Sequence, residues 1–415
     1  MSKKNMSIVI KLAWRNVWKN KRRTILTLLT ILVGSAMILF MNAFAKGGHD
    51  QMIEDAVKTN TGHIQIHEKG FWENNSLEYA FKIDPSLLSH INENPKIDAF
   101  SIRIHANALL SYKNNTTGAI IQAVQPDKEK NISTIHKNIL KGGRYLKPQD
   151  LNNIVMGKTL AKNLGVEVGD TVSIISQGFD GSIAAEDLVI VGMFKSGNPE
   201  YDRALIIMNI EQAKKTFSMM GFVNSITLRV KNFDKLNDVR DELRSKVDTK
   251  KIEVMSWEEL MPELVQFIVM DDISAYIFDV VLYLLVAFGI LNTIQMSVYE
   301  RIREFGVMLS IGTKPSQVRS MIIVESIFIT IIGIVLGIAV GSALSIYFAY
   351  NPLSFADYAD EMSVWGVSTI IYPAKLTSLN LSLTVLLTFI TSIIFTIFPA
   401  RRASKLKPID AIRHL

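Results

Sequence analysis

The chain has 415 residues, 48% of them hydrophobic, a formal net charge of +6 and no cysteine. The cysteine count excludes disulfides, thiolate metal sites and thiol nucleophiles, and a positive mean hydropathy calls for membrane spans beside a sizeable polar part. The charge hints at nucleic acid until it is located: residues 1–23 carry eight Lys/Arg and no acid, 299–319 are net +2 and 401–415 net +4, leaving the rest at −8. Basic residues confined to short segments beside apolar runs follow the positive-inside pattern, so nucleic acid is excluded as a partner.

In residues 8–20, Ile10, Ala13, Trp14 and Val17 oppose Lys11, Arg15 and Lys19. That spacing predicts an amphipathic helix in the membrane interface, with Trp14 and Trp18 at headgroup depth, inside a cytosolic segment 1–23. Residues 24–45 are apolar and, at about 1.5 Å per residue, span roughly 33 Å, enough for a hydrocarbon core. Ala43-Phe44-Ala45 resembles a signal-peptidase site, but the apolar run is about twice the usual 7–15 residues of a signal peptide. A retained first span with a cytosolic N-terminus is expected.

No stretch between 46 and 270 can cross a bilayer, and its pattern is that of an α+β domain outside the cytoplasm. GHIQIH (62–67) alternates like a strand, and 101–112 with 119–124 predict a hairpin turning at 113–118. Further strands are expected at 171–176, 188–194, 204–208 and 225–230, helices at 159–164, 211–218 and 235–246, and a loop at 177–187. Three more spans follow at 275–298, 321–349 and 379–398. A cytosolic segment 299–320 and an external loop 350–378 join them, and a cytosolic tail 399–415 closes the chain. The predicted fold class is a polytopic α-helical membrane protein with four transmembrane helices, one plus three, and a large α+β extracytoplasmic domain inserted between the first two. In the third span Gly333, Gly337, Gly341 and Ser345 recur every four residues on one face, which suits tight helix packing.

Tests for chemistry come back empty. Gly157-Lys158-Thr159 has the end of a phosphate-binding loop, but Asn152 stands where the pattern needs glycine, and the motif falls in the outer domain. His63 and His67 would share a strand face with Gln65 and no carboxylate, which reads as ordinary strand surface rather than a metal site. G-x-S-x-G is absent. No catalytic, cofactor-binding or metal-binding residue is assigned, and the chain is not expected to be an enzyme. Glu325 reads either as a functional intramembrane charge or as an interfacial residue beside Arg319. Residues 299–326 are too patterned for a plain connection: Glu300, Arg301, Arg303 and Glu304 precede Phe305, Val307, Met308 and Leu309, and Gly312 to Pro315 break the run. They predict a folded docking element.

Three segments carry a family resemblance. LAWRNVWKNKRRTILTLLTILVGSA, ERIREFGVMLSIGTKPSQVRSMIIVES and FPARRASKLKPIDAIRHL resemble, in order and spacing, the basic helix, inter-span signature loop and closing motif of the FtsX/MacB/LolC class of ABC-transporter permeases. The resemblance covers essentially the whole chain. It implies paired permeases, identical or paralogous, that couple ATP hydrolysis to movement of their outer domains. ATP and Mg would sit on a separate ABC ATPase subunit and no cofactor on this chain. Glu300, Arg301, Arg303, Glu304, Phe305, Gly306, Met308, Leu309 and Gly312 would then form the coupling helix docked on that subunit; Phe305 replaces the usual Ile, and SIGT the usual A-x-G-A.

Size and layout are most similar to the lipoprotein-releasing LolC/LolE group, whose outer domain GHIQIHEKG, NIVMGKTLAKNLGVEVGDTVSI and LVIVGMFKSGNPEYDRALIIMN resemble. That implies extraction of lipoproteins from the outer leaflet of the cytoplasmic (inner) membrane. Acyl chains would lie between the first two spans of the partner subunits, near Phe40, Phe44, Tyr276 and Phe278, for which plain lipid-facing packing is the alternative. A periplasmic carrier would meet Phe179 and Asp180 in the loop 177–187, which is shorter than the family's hook and lacks its proline. The alternatives are MacB-like export of a peptide, antibiotic or lipid through an adaptor, and FtsX-like regulation of an envelope enzyme.

Overall fold

The computed structural model describes residues 3–354 and 371–405, so most of the loop 350–378 and the end of the tail lie outside the described residues. Those residues fall into two compact units, one formed by 3–50, 268–353 and 371–405, the other chiefly by Gln51–Phe267.

The helices Lys21–Ala56, Pro262–Glu300, Pro315–Tyr350 and Ser378–Ser404, all or most of whose residues belong to the first unit, are each long and apolar enough to cross a membrane. Each runs beyond the apolar stretch that announced it, because adding a residue to a formed helix is far easier than nucleating one, so polar ends continue the helix. Small residues set the contacts between spans. A Cβ on Gly337 would overlap the Ser35 hydroxyl, one on Gly333 would sit 2.8 Å from Ile31, and one on Gly341 would sit 2.9 Å from the Ala36 carbonyl. The glycine face of the third span therefore lies against the first span of the same chain. Gly34 and Gly289 do the same between the first and second spans, meeting Val286 and Thr30. Between the third and fourth spans the fit is polar: Thr384, Thr388, Ser392 and Thr396, every fourth residue, are buried, with Ser326 and Thr396 hydroxyls 2.7 Å apart and Thr330 bonded to Ser392.

The N-terminal helix Lys3–Lys19 stops at Asn20, where the Thr24 hydroxyl donates to the Val17 carbonyl. Ala13 and Val17 are fully buried in a cluster with Phe305, Val318 and Met321, whereas Trp14 and Trp18 are about half exposed. The apolar face read from the sequence is thus divided, its small residues packing on protein and its tryptophans left outside.

The second unit is built on nine strands: β1 Ile64–Glu68, β2 Ile97–Tyr112, β3 Asn115–Val124, β4 Asn153–Gly157, β5 Thr171–Gln177, β6 Ile183–Phe194, β7 Leu205–Asn209, β8 Ser225–Val230 and β9 Ile252–Ser256. Their order is β3-β7-β4-β6-β5-β2-β8-β1-β9, and β3 also pairs with β2, which closes six strands into a ring. Ile104, Leu110, Ile121, Ile174, Ile190 and Ile206 fill the ring, together with Leu160 and Phe217 from short helices. A second core lies where β8, β1 and β9 meet the helices Pro85–Glu93 and Leu236–Arg244, through Ile66, Ile91, Ile226, Val239 and Leu243. The long strand β2 serves both: Ile97–Arg103 pair with β8, Arg103–Tyr112 with β3.

Three expectations change here. The hairpin turns at Lys113-Asn114 alone, with Lys113 at φ +51°, because Thr116 and Thr117 are β-branched and join the strand. Strand β6 begins at Ile183, paired with Gln177, so the expected loop 177–187 contracts to Gly178–Ser182; the low strand propensity of Ala184-Ala185-Glu186-Asp187 hid it. Gln65 and His67 are buried rather than on the strand surface, because β1 lies between β8 and β9 and is covered on both faces. The Gly157-Lys158-Thr159 motif also acquires a packing role: a Cβ on Gly157 would overlap the backbone of Asp202.

Candidate functional site

The helix Ile302–Ser310 is a short amphipathic element between the second and third spans. Gly312, at φ +96°, ends it: the Gly312 N–H donates to Leu309 O and the Thr313 N–H to Met308 O. Pro315 then sets the first turn of the third span helix, where its missing N–H costs nothing.

This helix has two unlike faces. Ile302, Phe305 and Gly306 are buried, Phe305 completely, with the Arg301 guanidinium 5.0 Å above its ring. The opposite side shows Arg303, Val307, Ser310 and Ile311, spaced as one helical face, with Val307 47% and Ile311 78% exposed. Of the residues expected to dock on a partner, Phe305 and Gly306 therefore face this chain's own interior, and Met308 and Leu309 are half-buried beside them. An apolar residue beside a charged run fits an inward anchor as well as an outward contact, and burial decides for the anchor. Arg303 and Gly312 are exposed. Val307, part of the expected docking segment, and Ile311 were not singled out as its outward contacts; on a helix both fall on the face of Arg303.

Glu300, Arg301 and Glu304 enter an ion cluster with residues far away in sequence. Arg23 Nη2 donates to Glu325 Oε1 at 2.9 Å and Arg301 Nη1 to Glu325 Oε2 at 3.0 Å, and all three side chains are about nine-tenths buried. Around this triad Lys19 Nζ meets Glu304 Oε1 at 2.5 Å, Asn20 Nδ2 donates to Glu300 Oε2 at 2.9 Å, and Arg301 Nε reaches Glu304 at 3.1 Å. The hydrogen bond from Lys19 holds the Glu304 carboxyl below the usual carboxylate range. Three cations, Lys19, Arg23 and Arg301, balance three carboxylates, Glu300, Glu304 and Glu325. The outer pair is exposed and contributes at most about 1 kcal/mol. Removing one member of the buried triad leaves the others paired: Arg23 also lies 3.7 Å from Glu300, Arg301 also reaches Glu304, and Glu325 keeps one arginine if the other is lost. Glu325 is thus not paired with its sequence neighbour Arg319, which is exposed. A lone carboxylate within an apolar helix was the signal that it needed a distant cation.

Of the four aromatic residues expected near acyl chains, Phe40 and Phe44 lie together within the chain and Tyr276 and Phe278 lie apart from them. Phe40 lies 6.0 Å from Phe44 and 5.4 Å from Phe348, and Phe44 stacks on Tyr372 at 6.1 Å, whereas Tyr276 and Phe278 are 64% and 70% exposed on the second span. The second span instead meets the first near this end through polar groups, Asn42 donating to Asp279 at 2.9 Å. In the outer unit Phe179 packs on Phe222 at 4.9 Å, and Asp180 accepts from the Ser182 hydroxyl at 2.6 Å, so both belong to a closed turn. Among the described residues no three His, Asp or Glu side chains are grouped to hold a metal ion.

Four membrane-crossing helices, a small-residue seam, an inserted α+β unit and an exposed amphipathic inter-span helix define a polytopic permease. The chain belongs to the FtsX/MacB/LolC family of ABC-transporter permeases: a family model of the MacB-like periplasmic core domain matches residues 24–246, and one of the FtsX-like permease C-terminal matches 276–408. It is 24% identical to an ABC transporter permease of Methanocaldococcus jannaschii, over 98% of this chain and 97% of that one. It is 25% identical to the lipoprotein-releasing system transmembrane protein LolC of Xylella fastidiosa, over 77% and 78%. With the macrolide export ATP-binding/permease protein MacB of Escherichia coli it shares 21% identity over 97% of this chain and 60% of that protein. Among solved structures it is similar to the periplasmic region of MacB from Actinobacillus actinomycetemcomitans, with 14% identity, a TM-score of 0.36, and 51% of this chain and 94% of that one covered. The family implies an ATPase partner and a dimeric arrangement.

Proposed function

We propose that this chain is the permease subunit of an ABC complex in the cytoplasmic membrane, with both termini in the cytosol, the 51–267 unit outside, and ATP and Mg bound by a separate ATPase subunit. It does no chemistry itself. It converts the closure of the ATPase dimer into movement of its outer domain. The observation that carries this reading is the two-faced helix Ile302–Ser310, clamped inside by Phe305 and the ion cluster and open outside at Arg303, Val307 and Ile311. An apolar and cationic strip of that size suits a groove on a partner better than water. The test is co-purification with the ATPase: Val307→Asp/Ile311→Asp abolishes it while the permease remains folded, and retention of the ATPase by that variant refutes the docking.

For the cargo we favour lipoproteins, on the strength of the likeness to LolC and the exposed Tyr276 and Phe278, which offer an apolar aromatic surface to acyl chains. Depletion of the protein then strands lipoproteins in the cytoplasmic membrane. Normal sorting on depletion favours the second reading, export of another envelope substrate, which the likeness to MacB over nearly the whole chain supports.

A further inference from the structure

We infer that Glu325 is the positioning residue of a mechanical joint, through which displacement of the inter-span helix is passed to the first and third spans together. The inference rests on the reading that the ATPase docks on Ile302–Ser310. Arg301 opens that helix, Arg23 stands near the start of the first span and Glu325 lies within the third. One carboxylate holds both arginines through separate oxygens, at 2.9 and 3.0 Å.

Three features make this a joint rather than incidental pairing. The triad links elements 24 and 302 residues apart, so it does not merely close a local turn. It borders a small cavity of mixed lining, where Thr27, Thr293, Ser297 and Ser326 stand beside Ile294, Ile322 and Ile329, so the charged groups have hydroxyls as well as hydrocarbon around them. Its geometry also favours a joint over glue. Buried ion clusters add little net stability compared with apolar residues of equal volume, and their best-attested use is to fix register. Here the register fixed is that of the docking helix against two spans already locked by Gly333, Gly337 and Gly341. A push on Arg303 or Val307 therefore reaches both spans through fixed charge contacts instead of dissipating in a sliding apolar surface.

The experiment uses the intact complex of this chain with its ATPase subunit in lipid nanodiscs. Because the chain has no cysteine, spin labels at Ile183→Cys and Tyr350→Cys, both highly exposed positions, report one distance distribution without and with ATP, Mg and vanadate. The expected result is an ATP-dependent shift in the otherwise native chain. In Glu325→Gln that shift is lost while the ATPase stays bound and hydrolyses ATP at the basal rate, and Glu325→Asp restores part of it. The double variant Arg23→Met/Glu325→Leu guards against misfolding, since it replaces a buried ion pair by apolar groups while Arg301 keeps Glu304 at 3.1 Å; it too hydrolyses ATP without the shift. A full shift in Glu325→Gln or in the double variant overturns the joint alone. Loss of ATPase binding in the double variant reduces the triad to an assembly element and also overturns it. No shift in the native chain, or ATPase retained by Val307→Asp/Ile311→Asp, overturns the docking reading and the joint with it.

Discussion

The two units bury charge differently. In the helical unit one carboxylate, Glu325, is shared by arginines from two other elements, inside a cluster of six balanced charges. In the outer unit the fully buried pair is Arg103 with Glu129, a two-point contact with Nε–Oε2 at 3.2 Å and Nη2–Oε1 at 2.6 Å between residues 26 apart. The second arrangement fastens the segment that carries Glu129 onto β2. The first ties together the inter-span helix, the first span and the third. Packing differs too: the spans combine close glycine and hydroxyl contacts with an aliphatic cluster that includes Ile31, Ile290, Ile322 and Ile329, whereas the closed ring is filled mainly by aliphatic side chains.

The contrast can be broken at several strengths. The largest effect is expected from Arg103→Met, which leaves Glu129 charged and buried and should destabilise the outer unit by about 3–5 kcal/mol; adding Glu129→Leu recovers most of the loss in the same thermal melt. If the single and double variants melt alike, the pair is not the fastening it looks to be. Next comes Gly337→Val, whose new methyl groups have no room against Ser35; a loss of about 1–3 kcal/mol, seen as a lower melting temperature of the chain in detergent, is expected. The same change at Gly118, which meets nothing nearby, is the control.

Acid probes the outer unit through its buried histidines. Burial lowers His105 to about 3 and His63 to about 4, below the ordinary histidine value of 6.5, and lowers the buried His67 too. Folded-state values below the unfolded one mean that the unfolded chain binds more protons as pH falls. The stability they give is complete above about pH 6.5 and is lost on the way down to 4 and 3, at up to about 1.4 kcal/mol per pH unit for each group. Melts at pH 7.5 and 4.5 should therefore differ, and His105→Gln should narrow the difference; an unchanged gap assigns the acid sensitivity elsewhere. The smallest effect belongs to Lys19→Ala, which opens an exposed ion pair and should cost less than about 1 kcal/mol in a denaturant titration.

Much of this arrangement was legible in the sequence because it is local. Apolar runs announced the four membrane helices, glycines every fourth residue announced a tight seam, and alternation announced most strands. What stayed hidden depends on partners far along the chain. Nothing in Asn115–Val124 says that it pairs with both β2 and the parallel β7 and so closes a ring. Nothing around Glu325 points to Arg23, and only burial shows that Phe305 turns inward while Val307 and Ile311 turn out. Periodicity gives an element its two faces; it does not say which neighbour each face will meet.

Strand β2 has one more consequence. Its sixteen residues are common to both cores of the outer unit, and Ile102 touches each of them. A single unbroken strand through two cores leaves no seam at which one half could bend away from the other. The outer unit should then respond to load as a torsion bar does, carrying twist along β2 from one core to the other, so that a wrench applied at either end is felt at the far one.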